Sequence, residues 1–348
     1  LSTRKAIDIK PNEAESNYNL GNILQDQGKL DEALIAYNKA IEINPNFAEA
    51  HSNLGNIFMD MGKLKEAEKS YIQAININPD LSKIYYYLSK LRCYYESKIW
   101  KDRLFSEIIL TNIKAKNKID IYFARANIMH NEKNYQESSI YLQLANQIRL
   151  SINKSNYKKI MNKSKLLMIE ADKNQIIQND NSSQTEHVFI VGMFRSGSTL
   201  LESILSMNSL VNDLGEVNIL EESFLECKNN NKSLNLSDLY SLKAINKRSI
   251  FKVTIDKNLY NYQYAGIILK NLKNAKIIHC YRNPLDNILS IYRTNFPKGN
   301  EYSSSLIDCA RVYIDQDKVM NEYKNRFRSR IYDLDYDLLV TNPTQEIK

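Results

Sequence analysis

The chain has 348 residues, 43% apolar and 25% charged, with a formal net charge of +7, a composition that suits a globular protein of two domains and excludes a disordered one. No apolar run reaches the roughly 18 residues of a membrane-crossing helix, and the lysines are scattered, which reads as a solvated surface and predicts no nucleic-acid site. Cys93, Cys227, Cys280 and Cys309 lie far apart with no C-x-x-C pair, which argues against a zinc knuckle or a disulfide framework and for a reducing, cytoplasmic setting.

Gly21 and Gly55, Ala33 and Ala67, Tyr37 and Tyr71, Ala40 and Ala74, and Pro45 and Pro79 each stand 34 residues apart. This period predicts helix pairs over 14–80. Small residues let two helices approach, tyrosine fills the groove between neighbouring pairs, and proline stops each second helix. The pattern resembles the tetratricopeptide repeat, which implies an α-solenoid. Stepping back 34 residues from Pro45 and Ala40 gives Pro11 and Ala6, so a truncated repeat is expected to open the chain.

Over 82–150 the register degenerates. Leu88 and Ser89 replace the Leu-Gly pair, and a helix pair resumes within 122–150, with Tyr135 and Ala145 in place and Ser138 where alanine is expected. Tyr85, Tyr86, Tyr87, Tyr94, Tyr95 and Trp100 supply more apolar area than one helix face needs, predicting burial on more than one side. Residues 1–150 read as a packed scaffold, with peptide or protein binding on a concave face as the function the resemblance allows.

Residues 151–174 read as a basic helix and 175–186 as a polar linker. Beyond it, "HVFIVG", "IFKVTID", "AKIIHCY" and "RIYDLDY" alternate with helical stretches, predicting an α/β domain over 187–348 with a parallel sheet covered on both faces. "VFIVGMFRSGSTLLESIL", residues 188–205, predicts a strand, a tight turn and a helix. Gly192, Gly197, Ser198 and Thr199 are spaced as in a phosphate loop, but Ser198 stands where the pattern G-x-x-x-x-G-K-[ST] has lysine. The N–H groups of Arg195, Ser196, Gly197, Ser198 and Thr199, at the positive end of that helix, predict an anion cradle. Loss of the lysine predicts fewer phosphates than a nucleoside triphosphate carries, and no metal. In "KIIHCYRNPLDNILSIYR", Arg282 ends a strand and Ser290 lies about two helical turns on, predicting a second, separate dianion site. Two isolated phosphate sites suit a nucleotide phosphorylated at both ends.

These segments resemble the sulfotransferases that use 3'-phosphoadenosine 5'-phosphosulfate, in particular the bacterial tetratricopeptide-repeat sulfotransferases and the tyrosylprotein sulfotransferases. The resemblance covers nearly the whole chain. It implies an α-solenoid followed by a phosphate-loop-like α/β sulfotransferase domain, with 3'-phosphoadenosine 5'-phosphosulfate (PAPS) as co-substrate and no metal. It implies further that Phe194 to Thr199 hold the 5'-phosphosulfate, that Arg282 to Ser290 hold the 3'-phosphate, and that Tyr336 of "YDLLVTNP" lies against the nucleotide. "DLGEVNIL", residues 213–220, resembles the family's G-E-x-x-x-L stretch, implying Glu216 as general base with Glu221 and Glu222 in reserve. Lys257 is expected to polarise the leaving oxygen and Arg195 to neutralise the sulfuryl oxygens.

His279 reads as a packed strand residue. Phe194 and Leu259 replace prolines of the family and Ser198 a threonine, while Asp256, Lys257 and Asn261 are retained. The basic segment that closes over the nucleotide in the family is expected beyond Lys348. The expected activity is sulfuryl transfer to a hydroxyl or amine of a peptide, glycan or small molecule. A phosphate-loop kinase and a repeat scaffold with a decayed transferase half remain alternatives.

Overall fold

The computed structural model describes residues 13–91, 99–111, 113–173, 185–229, 235–244 and 251–346. It divides into two compact units, with the chain passing from one to the other at Ile152 and Asn153.

In the first unit, α1 (Ala14–Asp26) packs on α2 (Leu30–Ile43), and α3 (Ala48–Asp60) on α4 (Leu64–Ile77). A Cβ on Gly21 would lie 2.5 Å from the Tyr37 ring, and one on Gly55 2.5 Å from the Tyr71 ring. Each tyrosine therefore sits over the glycine of its own pair and not, as expected from the sequence, in the groove between neighbouring pairs, because the glycine's missing Cβ opens the nearer seat. Its hydroxyl then finds an amide, Tyr37 donating to Asn22 Oδ1 and Tyr71 to Asn56 Oδ1, both at 2.8 Å. Asn53 of the second pair donates to the same Asn22 oxygen at 2.8 Å. Asn44 and Asn78, each before its proline, accept from Asn46 N–H and Asp80 N–H, the local turn that ends a helix when proline follows.

The degenerate stretch forms α5 (Ser82–Lys90), α6 (Ile99–Phe105), a 3-10 turn over Glu107–Leu110, α7 (Ala115–Asn131) and α8 (Tyr135–Ile152). Tyr85, Leu88, Trp100 and Leu104 share one buried cluster with Ile121, Ala124 and Ile128 of α7. Ser138 fits an alanine site because its hydroxyl donates to Ala126 O at 2.8 Å, which satisfies a buried polar group. Ala145 is buried, whereas Tyr135 is exposed and packs beside His130. Tyr94, Tyr95, Pro11, Ala6 and 174–184 of the expected linker region lie outside the described residues.

The second unit begins with α9 (Tyr157–Lys173), the basic helix of the sequence. Gln263 Nε2 donates to its Ile160 carbonyl at 2.9 Å, and its Ser164 hydroxyl donates to Asp315. Along the chain follow β1 (Glu186–Gly192), α10 (Ser198–Leu205), β2 (Val211–Asp213), α11 (Ile219–Asn229), α12 (Leu236–Ala244) and β3 (Val253–Asp256). A 3-10 turn over Leu259–Tyr264, α13 (Ala265–Asn271), β4 (Ala275–Tyr281), α14 (Pro284–Tyr292), α15 (Leu306–Phe327), β5 (Ile331–Asp335) and α16 (Tyr336–Thr341) complete the parts used below.

The five strands among the described residues pair in parallel, in the order β2-β3-β1-β4-β5. On β1, Phe189 and Val191 join one apolar cluster and Ile190 another, as the period-two pleat of a sheet covered on both faces requires. The chain leaves β1 toward β2 and β3 on one side and later crosses to β4 and β5 on the other. This reversal makes the carboxyl end of β1 a topological switch point, where open α/β sheets bind ligands. No described helix is long and apolar enough to cross a membrane.

Candidate active site

The loop after β1 is shaped by three residues with positive φ: Gly192 at 145°, Arg195 at 67° and Gly197 at 90°. Ser196 is fully buried and its hydroxyl closes the turn on Met193 O at 2.7 Å. Left-handed residues at 195 and 197 curl the backbone into a concave row of N–H groups, and α10 starts at Ser198 with its positive end toward that row. Arg195 carries the strain of a left-handed non-glycine residue. It is held from α14, where Asn287 Nδ2 donates to the preceding carbonyl, Phe194 O, at 3.0 Å.

Three residues beyond Asn287 on α14, Ser290 Oγ accepts from Arg195 Nε at 3.3 Å. The two anion sites expected from the sequence to be separate and isolated are thus joined by a direct contact, because α14 packs beside the loop. Arg282 at the end of β4 stacks over the Tyr336 ring at 5.0 Å, and that ring lies so close to the loop that a Cβ on Gly197 would come within 2.1 Å of it. Asn283 caps α14, accepting from Leu285 N–H and Asp286 N–H, and its own N–H donates to Asp337. Arg282 Nε is buried without a hydrogen-bond partner, its nearest carboxylate being Asp337 at 3.7 Å.

A second cluster forms where β2 and β3 end. Lys257 N–H donates to Gly215 O at 3.1 Å and Leu214 N–H to Ile255 O at 2.9 Å, tying the loop after β2 to the end of β3. The turn at Gly215, with φ 68°, brings Glu216 Oε1 to 3.2 Å from Lys257 Nζ. Asn258 anchors the far side of that loop, donating to Val217 O and to Asn218 Oδ1, both at 3.0 Å. On its inner side Lys257 Nζ meets Glu202 Oε2 of α10 at 2.7 Å. Burial works against the lysine's charge, but the two carboxylates outweigh it and raise its pKa above the usual lysine value. Beside it Asp256 is fully buried and accepts from Tyr240 OH, Asn261 Nδ2 and Asn258 N–H; burial pushes its carboxyl up to about 7.

Glu221, the first reserve base, pairs with Lys163 of α9 at 2.7 Å, and Glu222 is exposed. Thr199 is exposed on the first turn of α10, while Ser198 is buried. His279 is buried between Asp333 and Gln316. Glu202, Asn287 and Asn258 are absent from the sequence reading. A signal existed for two of them: Glu202 lies four residues after Ser198 and Asn287 three before Ser290, spacings that share a helix face.

A nucleotide phosphorylated at both ends fits these residues on two counts. The buried Arg282 Nε makes no hydrogen bond, and Gly197, lacking a Cβ, lets the Tyr336 ring lie directly on the loop.

A helical-repeat unit followed by a covered parallel sheet, with a loop of phosphate-loop form at its switch point, defines the class. The tetratricopeptide repeat patterns match residues 3–35, 21–62 and 48–81, and the sulfotransferase family pattern matches residues 237–348. That last stretch holds Lys257, Arg282, Ser290 and Tyr336. A protein of Aquifex aeolicus (strain VF5), described as uncharacterized, is 30% identical over 184 residues, 46% of this chain and 24% of that protein. The chain therefore matches about a quarter of that relative's length.

Among solved structures, the sulfotransferase STF1 of Mycobacterium tuberculosis H37Rv aligns at 11% identity over 68% of this chain and 82% of its own, with a TM-score of 0.31. YrrB, a TPR protein with an unusual peptide-binding site, aligns at 19% identity over 42% of this chain and 82% of its own, with a TM-score of 0.29. The chain joins tetratricopeptide repeats to a sulfotransferase-family domain.

Proposed function

We propose that the second unit transfers the sulfuryl group of PAPS to a hydroxyl or amine of a peptide, glycan or small-molecule acceptor. The observation that carries this is the convergence, at the carboxyl ends of one sheet, of a lysine-free loop of phosphate-loop form, an arginine with a buried nitrogen that makes no hydrogen bond, and a lysine–glutamate pair at 3.2 Å. Sulfuryl transfer, like phosphoryl transfer, spreads charge over the transferring oxygens, so the protein's part is to position, to neutralise and to remove a proton.

In this reading the loop N–H groups from Arg195 to Thr199 hold the 5'-phosphosulfate, with the Arg195 guanidinium on the sulfuryl oxygens. Arg282 and Ser290 hold the 3'-phosphate, and Tyr336 lies against the nucleotide. Glu216, whose side chain is 65% exposed, is open to an acceptor. It takes the acceptor's proton as the new S–O or S–N bond forms, while the bridging S–O bond to the 5'-phosphate breaks and Lys257 meets the charge left on that oxygen. The repeats hold a peptide or protein, for which the half-buried amides of Asn22, Asn53 and Asn56 offer hydrogen-bond partners.

Calorimetry with 3'-phosphoadenosine 5'-phosphate, followed by transfer of radiolabelled sulfuryl from PAPS to an acceptor panel, tests the reading. Binding and transfer without added magnesium are expected. Magnesium-dependent transfer of phosphate from ATP would replace it with a kinase, and absence of nucleotide binding would leave a scaffold.

A further inference from the structure

Lys257 Nζ touches two carboxylates of unlike surroundings. Glu202 meets it at 2.7 Å with a side chain 12% exposed, Glu216 at 3.2 Å with one 65% exposed. Given the assignment of Lys257 and Glu216 in the proposed sulfuryl transfer, on which this step rests, a single shared carboxylate would face a conflict. Bonded to an ammonium, it is a weakened base. Once protonated, it leaves a buried cation without a partner, and an uncompensated buried charge is costly. A second, enclosed carboxylate removes both difficulties. We infer that Glu202 is the positioning residue of this site: it keeps the Lys257 ammonium aimed and neutralised from inside, so that Glu216 is free to leave the lysine and take the acceptor's proton.

The surrounding structure supports unequal roles. Glu202 sits on α10 four residues after Ser198, so the helix whose start faces the anion also carries the clamp, and nucleotide and lysine are referred to one rigid element. The other charged groups nearby are Asp213 on β2 and Asp256 on β3. Asp213 is occupied by the Ser206 hydroxyl and the Gly215 N–H, each at 2.9 Å, and Asp256 by Tyr240, Asn261 and Asn258. Burial raises the pKa of Glu202 and Asp213 adds to the rise, while Lys257, in contact at 2.7 Å, opposes it, so Lys257 is the cation that holds the Glu202 carboxylate in place.

The test compares Glu202→Gln with Glu216→Gln in the full chain labelled with 15N-lysine. The ammonium resonance of Lys257, identified by its loss in Lys257→Arg, is visible only while its protons are shielded from exchange. It is expected to persist in Glu216→Gln and to disappear in Glu202→Gln. In the transfer assay Glu202→Gln is expected to lower kcat about 10- to 100-fold, as for other partners that orient a working group, with nucleotide Kd changed less than about twofold because the Glu202 carboxylate pairs with Lys257 and not with the side chains assigned to the phosphates.

A resonance retained in Glu202→Gln overturns the inference, as does a parallel loss of kcat and nucleotide affinity. If Glu202→Gln does not fold, Glu202→Asp carries the test, since shortening the side chain breaks the contact and the resonance must still be lost. A wild-type chain that transfers no sulfuryl group defeats the functional reading, whereas the resonance comparison still decides the clamp.

Discussion

Glycine faces tyrosine in both units, and the two pairings serve opposite ends. In the repeats, Gly21 and Gly55 are helical, and the rings they admit, Tyr37 and Tyr71, are at most 1% exposed. Each hydroxyl ends on an asparagine of the facing helix, so the contact is closed on itself and repeats with the sequence. In the second unit Gly197 has φ 90° and lies under the half-buried ring of Tyr336. There the ring carries an arginine whose Nε has no hydrogen-bond partner. The same missing Cβ admits a ring in both units, which completes a core in one and in the other closes on a left-handed loop beside an arginine nitrogen that makes no hydrogen bond. What separates them is backbone handedness and whether the polar groups around the ring are already satisfied.

The comparison is sharpened most by Glu216→Gln, which changes no glycine and no ring. Loss of a positioned general base costs about 10²- to 10⁴-fold in turnover, and nucleotide affinity is expected to stay within about twofold because Glu216 lies outside the anion loop. Steady-state kinetics with PAPS and calorimetry with 3'-phosphoadenosine 5'-phosphate separate the two. Unchanged turnover would move the base to another residue.

Gly197→Ala comes next. An alanine there adopts a left-handed conformation that costs about 1–2 kcal/mol, and its Cβ displaces the Tyr336 ring, with overpacking adding about 1–3 kcal/mol. Nucleotide affinity is expected to fall about 10²-fold at 1.4 kcal/mol per tenfold. Wild-type affinity in this variant would show that the cradle is not where the nucleotide sits. Arg282→Ala should follow, with a loss of about 10- to 100-fold, since a hydrogen bond to a charged group contributes roughly 1.5–3 kcal/mol. The loss should be confined to nucleotides bearing the 3'-phosphate, so equal losses with and without that phosphate would cancel the assignment of the second anion site.

What was legible in the sequence follows the range of the forces involved. The 34-residue period, the alternating strands and the phosphate-loop spacing are local patterns, and they led directly to the repeats, the parallel sheet and the loop after β1. Two features of the site were not local. The adjacency of Ser290 to Arg195 is set by how α14 packs beside the loop, and the seat of Tyr37 over Gly21, where the sequence points to the groove between pairs, by the packing of two helices of one pair. Glu202, Asn287 and Asn258 escaped because an acid or amide on a helix or turn reads as a solvated surface residue. Each acquires its role only when the fold brings a lysine or a carbonyl to it. Lys257 offered the best clue, since a buried ammonium requires a counter-charge, but the sequence contains 40 acidic residues from which to choose it.

Gly55→Ala completes the comparison, with the smallest effect at the site. Its backbone is helical, so alanine gains about 1 kcal/mol of helix propensity over glycine. Its Cβ, however, would stand 2.5 Å from a ring that is 1% exposed and tied through its hydroxyl to Asn56. That ring has no empty space to enter, and overpacking of a filled core costs about 1–3 kcal/mol. The balance is a net loss of up to about 2 kcal/mol, read as faster amide exchange in α3 and α4. Because every contact it disturbs lies within the first unit, affinity for 3'-phosphoadenosine 5'-phosphate is expected to match wild type. If Gly55→Ala weakened the nucleotide as Gly197→Ala should, the two glycines would not differ in kind, and the division between a closed core and a nucleotide-facing loop would have to be abandoned.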